Sequence, residues 1–170
     1  MGFGPMNGLV MGTRCGDIDP AVLLYMVKYL GYSLDEANTI LQKKSGMLGL
    51  TGFSDMRDIE AKAAEGDQYC KDALTLNTYR IKKFIGSYIS VLNGVDAVIF
   101  TAGIGENSST IREMVCADLD FFGISLDEDK NAFRSGEIRE IQSKNATVKV
   151  LVIPTNEELE IAKQTFELIS

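Results

Sequence analysis

The stretch DAVIFTAGIGENSSTIRE, residues 96–113, contains the pattern on which the fold class depends. Its first part, Asp96–Thr101, is short, apolar and rich in β-branched residues, which is typical of a strand buried on both faces of a parallel sheet. A helical pattern follows from Ser108, and Gly103 and Gly105 lie between the two. Ligands of α/β proteins bind at the carboxyl ends of strands. Two interpretations therefore stay open: a tight turn, or a backbone that approaches a phosphate or nucleotide.

The elements on either side of this stretch alternate between helix and strand. A second strand is predicted over Thr147–Ile153, a weaker one over Glu137–Ser143, and helices over Gln68–Leu92, Ser108–Gly123 and Thr155–Leu168. This alternation predicts the α/β class, with parallel strands and right-handed crossovers. Two convincing strands are few for so many helices, so we expect a helix-rich fold with an incomplete parallel sheet.

The first half of the chain reads as a series of helices with recognisable start signals. Asp19 followed by Pro20 predicts the start of one helix, and Ser33 with Glu36 predicts a capping box at the start of the next. A glycine-punctuated loop then precedes a short helix that begins near Asp55.

The composition restricts the classes of function. The chain has 170 residues and a net charge of −7, which argues against a nucleic-acid partner because no basic stripe could displace counterions from phosphates. Histidine is absent, which removes the usual general base and metal ligand. Cys15, Cys70 and Cys116 are odd in number and widely spaced, so we expect free thiols and a cytoplasmic protein. No apolar run is long enough to span a bilayer, so we expect no membrane partner.

The third glycine of a dinucleotide fingerprint is missing, because Ser108 occupies its position. The pattern at Gly103 and Gly105 therefore argues against a Rossmann site. A second candidate is Arg14, which lies between glycines before a helix and suits capture of phosphate or carboxylate. The alternative is an ion pair of Arg14 with Asp17 or Asp19.

Two further loops carry charged side chains. Asp55 and Arg57 lie at a predicted helix start, where acidic residues are ordinary complements of the helix dipole. Glu157 follows the strand that ends before Pro154, and it would share a sheet edge with Gly103 if the two strands are parallel neighbours. A carboxylate there could reach Mg²⁺ directly or through water, or it could serve as a capping residue.

Taken together, these loops resemble the acetate kinase family. The motifs MGTRCGDIDP (11–20), GFSDMRDIE (52–60), FTAGIGENS (100–108) and IPTNEELEIA (153–162) occur in this order in the family, and the resemblance covers essentially the whole chain. The resemblance implies part of a ribonuclease-H-like, actin-like ATPase domain. Residues 1–170 would be the C-terminal nucleotide-binding portion of an acetate kinase, with the N-terminal domain and the first strands of this domain absent.

The resemblance also implies a reaction and a site. Members of the family transfer a phosphoryl group reversibly between ATP and acetate, giving acetyl phosphate and ADP, and they require Mg²⁺. Arg14 matches the catalytic arginine that stabilises the phosphoryl group during transfer, and Glu157 matches a residue associated with Mg²⁺. The positions that match nucleotide-binding residues are Asp55, Met56, Arg57, Gly103, Ile104, Gly105, Glu106 and Asn107.

The chain departs from the family pattern in two places and lacks several groups. The loop before Asp55 is one residue shorter than in many relatives, and Cys15 stands where relatives often have serine. The family's N-terminal half supplies an Asp, a His, a second Arg, a metal-associated Asn and a phosphate loop, none of which is in this sequence. We therefore expect the isolated chain to be inactive.

The resemblance leaves other properties as expectations or alternatives. It implies a homodimer that forms through this half of the protein, and as partners a nucleotide with a short-chain carboxylate or acyl phosphate. A kinase for propionate or another short-chain carboxylate is the nearest alternative. A non-catalytic nucleotide-binding or assembly fragment is an alternative from a different class, favoured by the open edge of an incomplete sheet.

Overall fold

The computed structural model describes residues 2–169, and the chain divides into two compact units, Met1–Tyr88 and Ile89–Ser170. The described part of the first unit contains helices and connecting loops. Its helices are α1 (Pro20–Lys28), α2 (Leu34–Lys43), α3 (Gly46–Thr51), α4 (Met56–Ala64) and α5 (Gln68–Leu92), the last of which ends beyond the first unit.

The helix starts predicted in the first unit are confirmed. The Asp19 carboxylate accepts a hydrogen bond from the backbone N–H of Ala21 at 2.8 Å, and Pro20 is the first residue of α1. At the start of α2, Ser33 Oγ accepts from the Glu36 N–H at 3.2 Å, and the Glu36 carboxylate accepts from the Ser33 N–H at 2.8 Å. A cap of this kind stabilises a helix by about 1 kcal/mol.

The core of the first unit forms where the apolar faces of its helices pack together. Helices α1 and α2 contribute Met26, Ala37 and Leu41, and Leu23 and Ile40 pack against them. Burying a side chain of leucine or methionine size stabilises the fold by about 1.5–3 kcal/mol. The other helices contribute the buried side chains of Met47, Ile59, Ala63, Cys70, Ala73 and Leu74.

The second unit carries the sheet. Its elements are β1 (Ala97–Phe100), α6 (Ala102–Asn107), α7 (Ser109–Cys116), a 3₁₀ turn (Asp120–Phe122), α8 (Glu128–Ala132), β2 (Arg139–Glu140), β3 (Lys149–Val152) and α9 (Glu157–Ile169). Both strands that the sequence predicts strongly are present. Their buried residues include Phe100, Val150 and Val152.

The sheet is mixed rather than wholly parallel. Its strand order is β1-β3-β2, with β1 parallel to β3 and β2 antiparallel to β3. The predicted parallel pair is thus confirmed, and the weak strand pattern near residue 139 becomes the short third strand. Only residues 141–148 join β2 to β3. A parallel crossover needs a dozen residues or more, so this connection permits only antiparallel pairing.

The helix predicted over Ser108–Gly123 begins close to the predicted residue but ends earlier. Ser108 has an extended backbone and its hydroxyl accepts from the Ile111 N–H at 2.9 Å, so it caps α7. After α7, Ala117 leaves the helical region and Asp118 has φ +58°, which stops the helix before the 3₁₀ turn. Residues 102–107, predicted as a loop, form the short helix α6.

The last helix begins with a side-chain cap. Asn156 Oδ1 accepts a hydrogen bond from the Leu159 N–H at 3.0 Å, so Asn156 rather than Thr155 caps α9. Within residues 2–169, none of the helices combines the length and the apolar character needed to cross a membrane.

Candidate functional site

The loop that carries Arg14 is fixed by its backbone. The carbonyl oxygens of Met11 and Gly12 each accept a hydrogen bond, from the N–H groups of Met47 and Leu48 respectively, at 2.9 Å. These donors belong to the first turn of α3, where backbone N–H groups have no partner within the helix. The loop therefore caps α3, and α3 in turn holds the loop that presents Arg14.

The Arg14 side chain is exposed and does not form the ion pairs that were its alternative. Asp17 lies 3.5 Å from the Arg80 guanidinium instead, and Asp19 caps α1. None of the ion pairs found among residues 2–169 involves Arg14. A guanidinium on a fixed backbone with no carboxylate partner can bind phosphate or carboxylate through paired N–H donors.

Asp55 and Arg57 form a bidentate pair at the start of α4. Arg57 Nη2 lies 2.6 Å from Asp55 Oδ2, Arg57 Nε lies 3.0 Å from Asp55 Oδ1, and the Arg57 backbone N–H donates to the same carboxylate. The Arg57 side chain is 90 % exposed, and Met56 is half-buried. The Asp55 carboxylate is thus already hydrogen-bonded to Arg57. The planar guanidinium remains open on its faces, where it could stack on an aromatic ring.

The Arg14 loop and the Asp55 loop are neighbours in the first unit. A Cβ added to Gly12 would lie 3.1 Å from the carbonyl oxygen of Ser54, the residue before Asp55. Two of the motifs that carry the family resemblance therefore meet, although about 40 residues separate them in sequence.

The Asp55 carboxyl group should titrate at unusually low pH. The side-chain and backbone hydrogen bonds from Arg57 lower the pKa of Asp55 from 3.8 to about 2. The pair therefore stabilises the folded state fully above pH 3.8, and this contribution is lost as the pH falls through about 2. We expect Arg57→Gln to raise the pKa of Asp55 only part of the way, because the backbone N–H still donates.

The measurement for this prediction is a ¹³C NMR titration of the Asp55 carboxyl carbon in both forms. Arg134→Gln, at an exposed arginine in the second unit, serves as the matched control and should leave the Asp55 pKa unchanged. An Asp55 pKa that is the same with and without the Arg57 guanidinium would contradict the assignment.

In the second unit, residues 102–107 form a helical turn directly after β1. Ala102 has φ +59°, an uncommon value for a residue with a Cβ, and it redirects the chain from strand to helix. Asn107 Nδ2 donates to the carbonyl oxygen of Gly103 at 2.8 Å and closes the turn. The Asn107 amide is therefore used within the turn itself.

The two glycines of this turn have different surroundings. A Cβ added to Gly105 would lie 3.2 Å from the carbonyl carbon of Phe100 and 3.4 Å from its Cα. The same addition at Gly103 meets no atom of the described residues within 4 Å. A side chain at position 105 would therefore press on the end of β1, so packing of α6 there favours glycine, whereas the space beside Gly103 is open.

Alanine substitutions should separate the two glycines. We expect Gly105→Ala to lower the free energy of unfolding by about 1–3 kcal/mol, because the new methyl group presses on the β1 backbone. Gly103→Ala should change it by less than about 0.5 kcal/mol, since the methyl group enters open space. Urea unfolding followed by circular dichroism measures both. Equal losses for the two variants would show that the glycines share one structural role.

The loops after β1 and β3 meet at one edge of the sheet, as the parallel pairing of these strands requires. Glu106 Oε1 accepts hydrogen bonds from the Thr155 N–H at 2.8 Å and the Thr155 hydroxyl at 2.9 Å. The backbone N–H of Thr155 is the main cause that lowers the pKa of Glu106. Glu157, two residues further on, is exposed at the start of α9. The turn from Gly103 to Asn107 is thus hydrogen-bonded to the loop that leads to Glu157.

The residues available for a metal ion are few. Among residues 2–169 no group of three or more His, Cys, Asp or Glu side chains is placed to hold one. An exposed carboxylate such as Glu157 can still supply one ligand, because Mg²⁺ usually keeps several waters and binds one or two carboxylates together with substrate phosphates.

Arg112 is a residue that the sequence analysis missed. It is only 2 % exposed, and its Nη1 donates at 2.9 Å to the carbonyl oxygens of both Gly105 and Glu106. Its Nε and Nη2 donate to the side chain and backbone of Asn131 on α8. The guanidinium thus satisfies the carbonyl groups that the short helix α6 leaves without partners. Its burial could have been indicated by its spacing, because it lies four residues after buried Ser108 and therefore on the inner face of α7.

Sequence comparison shows which family this arrangement belongs to. The profile of the Acetokinase family matches residues 1–163, so the chain is a member of that family. It is 62 % identical over 169 residues to an acetate kinase of Flavobacterium johnsoniae, covering 99 % of this chain and 43 % of that protein. An acetate kinase of Methanosarcina mazei is 55 % identical over 169 residues, with 99 % of this chain and 41 % of that protein covered. The chain therefore spans about two fifths of the length of these relatives.

Solved structures give the same assignment for the fold. The crystal structure of Porphyromonas gingivalis acetate kinase has a TM-score of 0.89 and 41 % identity, covering 98 % of this chain and 42 % of that one. A propionate kinase from Francisella tularensis has a TM-score of 0.86 and 44 % identity, covering 93 % of this chain and 40 % of that one. The chain thus has the helix-rich α/β, actin-like ATPase fold of these kinases.

Proposed function

We propose that this chain is the C-terminal nucleotide-binding portion of an acetate kinase. The protein would transfer a phosphoryl group reversibly between ATP and acetate, giving acetyl phosphate and ADP. The observation that carries this proposal is the match of nearly the whole chain to proteins named acetate kinase at 50–62 % identity. The remainder of those proteins would supply the other groups of the site, so residues 1–170 alone would have no transferase activity.

Arg14 is proposed to stabilise the phosphoryl group during transfer. Phosphoryl transfer spreads negative charge over the equatorial oxygens, and catalysis depends on positioning and electrostatic stabilisation more than on covalent help. The exposed Arg14 guanidinium, on a loop held by α3, supplies donors of the required charge and geometry.

Two groups of residues are proposed to bind the nucleotide. In the first unit these are Asp55, Met56 and Arg57. The Arg57 guanidinium is exposed, and its hydrogen bonds to the Asp55 carboxylate fix its orientation. In the second unit the turn from Gly103 to Asn107 offers its open side at Gly103. The Ile104 side chain, 47 % exposed, adds apolar surface to the same turn.

Glu157 is proposed to associate with Mg²⁺. Glu157 would supply one carboxylate ligand, and the bound metal would supply positive charge that offsets the charge of the nucleotide phosphates. Glu157 suits this role because it is exposed and lies two residues after Thr155, which is hydrogen-bonded to Glu106 in the turn from Gly103 to Asn107. We also propose, from the resemblance to the family alone, that the protein is a cytoplasmic homodimer.

A chimera tests the proposed reaction. Replacing the corresponding part of the Flavobacterium johnsoniae acetate kinase with residues 1–170 should give an enzyme that forms acetyl phosphate from acetate and Mg·ATP. The isolated chain should form none at the same concentration, and the unmodified relative serves as the positive control. A folded chimera that binds ADP but has no turnover would contradict the proposal and favour a non-catalytic nucleotide-binding fragment.

A second candidate is a propionate kinase. It is favoured by the similarity to the Francisella tularensis enzyme, whose TM-score nearly equals that of the Porphyromonas gingivalis acetate kinase. The chimera cannot decide this point, because its other domain comes from the relative. The ratio of kcat/KM for acetate and propionate in the full-length protein decides it, and a ratio below one would favour propionate.

A further inference from the structure

We infer that the side chain of Glu106, unlike the rest of the turn proposed to bind the nucleotide, has a positioning role: it holds Glu157 in place for the metal and itself contacts neither nucleotide nor metal. This inference rests on the proposed function, because it assigns a role within the same site. It also separates Glu106 from its neighbours in the GIGEN motif, Gly103–Asn107, which resemblance alone treats as one nucleotide-binding group.

The contact between Glu106 and Thr155 fixes the chain just before Glu157. The N–H of Ile153, the residue after β3, donates to the carbonyl oxygen of Phe100, the last residue of β1, at 2.9 Å. Pro154 has no N–H to donate. The next donor along the chain is the Thr155 N–H, and Glu106 accepts it together with the Thr155 hydroxyl. The Glu106 side chain thus continues the hydrogen bonding between the two segments past Pro154, where the backbone has no donor.

Glu106 is itself held from the other side. Its backbone carbonyl oxygen accepts a hydrogen bond at 2.9 Å from the buried guanidinium of Arg112. A continuous series of hydrogen bonds therefore runs from the interior of the unit through Glu106 to Thr155. The next residue, Asn156, caps α9, and Glu157 is the first residue of that helix. The orientation of Glu157 relative to the Gly103 turn depends on this series.

The charge of Glu106 also argues against direct contact with phosphate. Its carboxylate is stabilised in the ionised form by the Thr155 hydrogen bonds, which lower its pKa. An ionised carboxylate repels phosphate oxygens unless a cation lies between them. Both Thr155 donors go to Oε1, so a glutamine could preserve both bonds through its amide oxygen.

The experiment compares ADP binding with and without Mg²⁺ in the chimera, by calorimetric titration. In the parent, Mg²⁺ should strengthen ADP binding. We expect Glu106→Ala to reduce this strengthening about tenfold, the lower end of the range for groups that orient metal ligands. The affinity for ADP without Mg²⁺ should stay the same, and Glu106→Gln should behave as the parent.

A second variant separates positioning from direct contact. Thr155→Val removes the hydroxyl donor and should reduce the Mg²⁺ effect in the same direction. Combined with Glu106→Ala it should add nothing further, because both changes break one link. Hydrogen exchange at the Thr155 amide, measured without ADP or Mg²⁺, should be faster in Glu106→Ala and unchanged in Glu106→Gln.

Any one of four results would overturn the inference. Weaker ADP binding without Mg²⁺ in Glu106→Ala would show direct contact with the nucleotide. An unchanged Mg²⁺ effect, or unchanged exchange at Thr155, would show that the link positions nothing. A parent chimera that binds no ADP would refute both the proposed function and this inference. If instead the parent and the Glu106→Ala variant both show the same Mg²⁺ effect on ADP binding, only the inference fails.

Discussion

Replacing Arg14 with alanine is expected to slow phosphoryl transfer by the chimera by about a thousandfold or more, the scale found when an arginine that stabilises transferred phosphoryl charge is removed. The affinity for Mg·ADP should change little, because the group acts on charge that develops during transfer. The loss would fall on kcat and kcat/KM together. The structural reason is that the Arg14 guanidinium has no ion-pair partner among residues 2–169, so its charge is available to a substrate.

The measurement is the rate of acetyl phosphate formation at saturating acetate and Mg·ATP. Arg14→Lys keeps the charge but loses the planar fork, and we expect it to recover only part of the rate. Arg134→Ala, at an exposed arginine in the second unit, is the control for loss of one positive charge and should retain the parent rate. An Arg14→Ala chimera within a factor of about two of the parent would contradict a catalytic role.

The fold was predictable from the sequence where local chemistry decides it. The caps at Asp19 and Ser33 were read correctly because each is a bond between residues two or three positions apart. The strand in Asp96–Thr101 was recognisable from its continuous apolar run. The prediction that both of its faces are buried was wrong for this chain, because Ile99 in β1 is 53 % exposed. The antiparallel β2 was harder to predict, since two residues carry little pattern and their partners in β3 are 13 and 11 positions away, at Val152 for Arg139 and Leu151 for Glu140.

The candidate site was predictable only as a set of motifs. Nothing local distinguishes Gly103 from Gly105, because the difference depends on where the Phe100 backbone lies after the chain has turned. Arg112 was missed for a similar reason. A charged residue in a helix is normally solvent-exposed, and its burial follows from carbonyl groups of α6 and from Asn131, which the sequence does not place beside it.

The largest loss of stability is expected for Gly46→Ala. Gly46 is the first residue of α3 and has φ +62°, which favours glycine. An added Cβ would overlap the carbonyl oxygen of Met11 and lie 2.7 Å from that of Arg14. Backbone atoms cannot move aside as a flexible side chain can. We therefore expect the free energy of unfolding to fall by about 3 kcal/mol or more, in the range of severe overpacking combined with backbone strain.

Gly52→Ala provides the matched control. Gly52 also has a left-handed backbone, with φ +84°, but an added Cβ meets no described atom within 4 Å. That variant should lose only the conformational part, about 1 kcal/mol. Urea unfolding of both variants isolates the effect of the clash. Equal decreases in the free energy of unfolding would show that the Met11–Arg14 loop moves aside at little cost.

The same substitution should affect catalysis through the position of Arg14. The loop is held to α3 by the bonds from Met47 and Leu48, and Gly46 allows that approach because it has no side chain. A Gly46→Ala chimera that remains folded should therefore lose transfer rate while Gly52→Ala does not. Gly46 would then affect the reaction without contacting a substrate, because its close packing against the loop fixes the backbone position of Arg14.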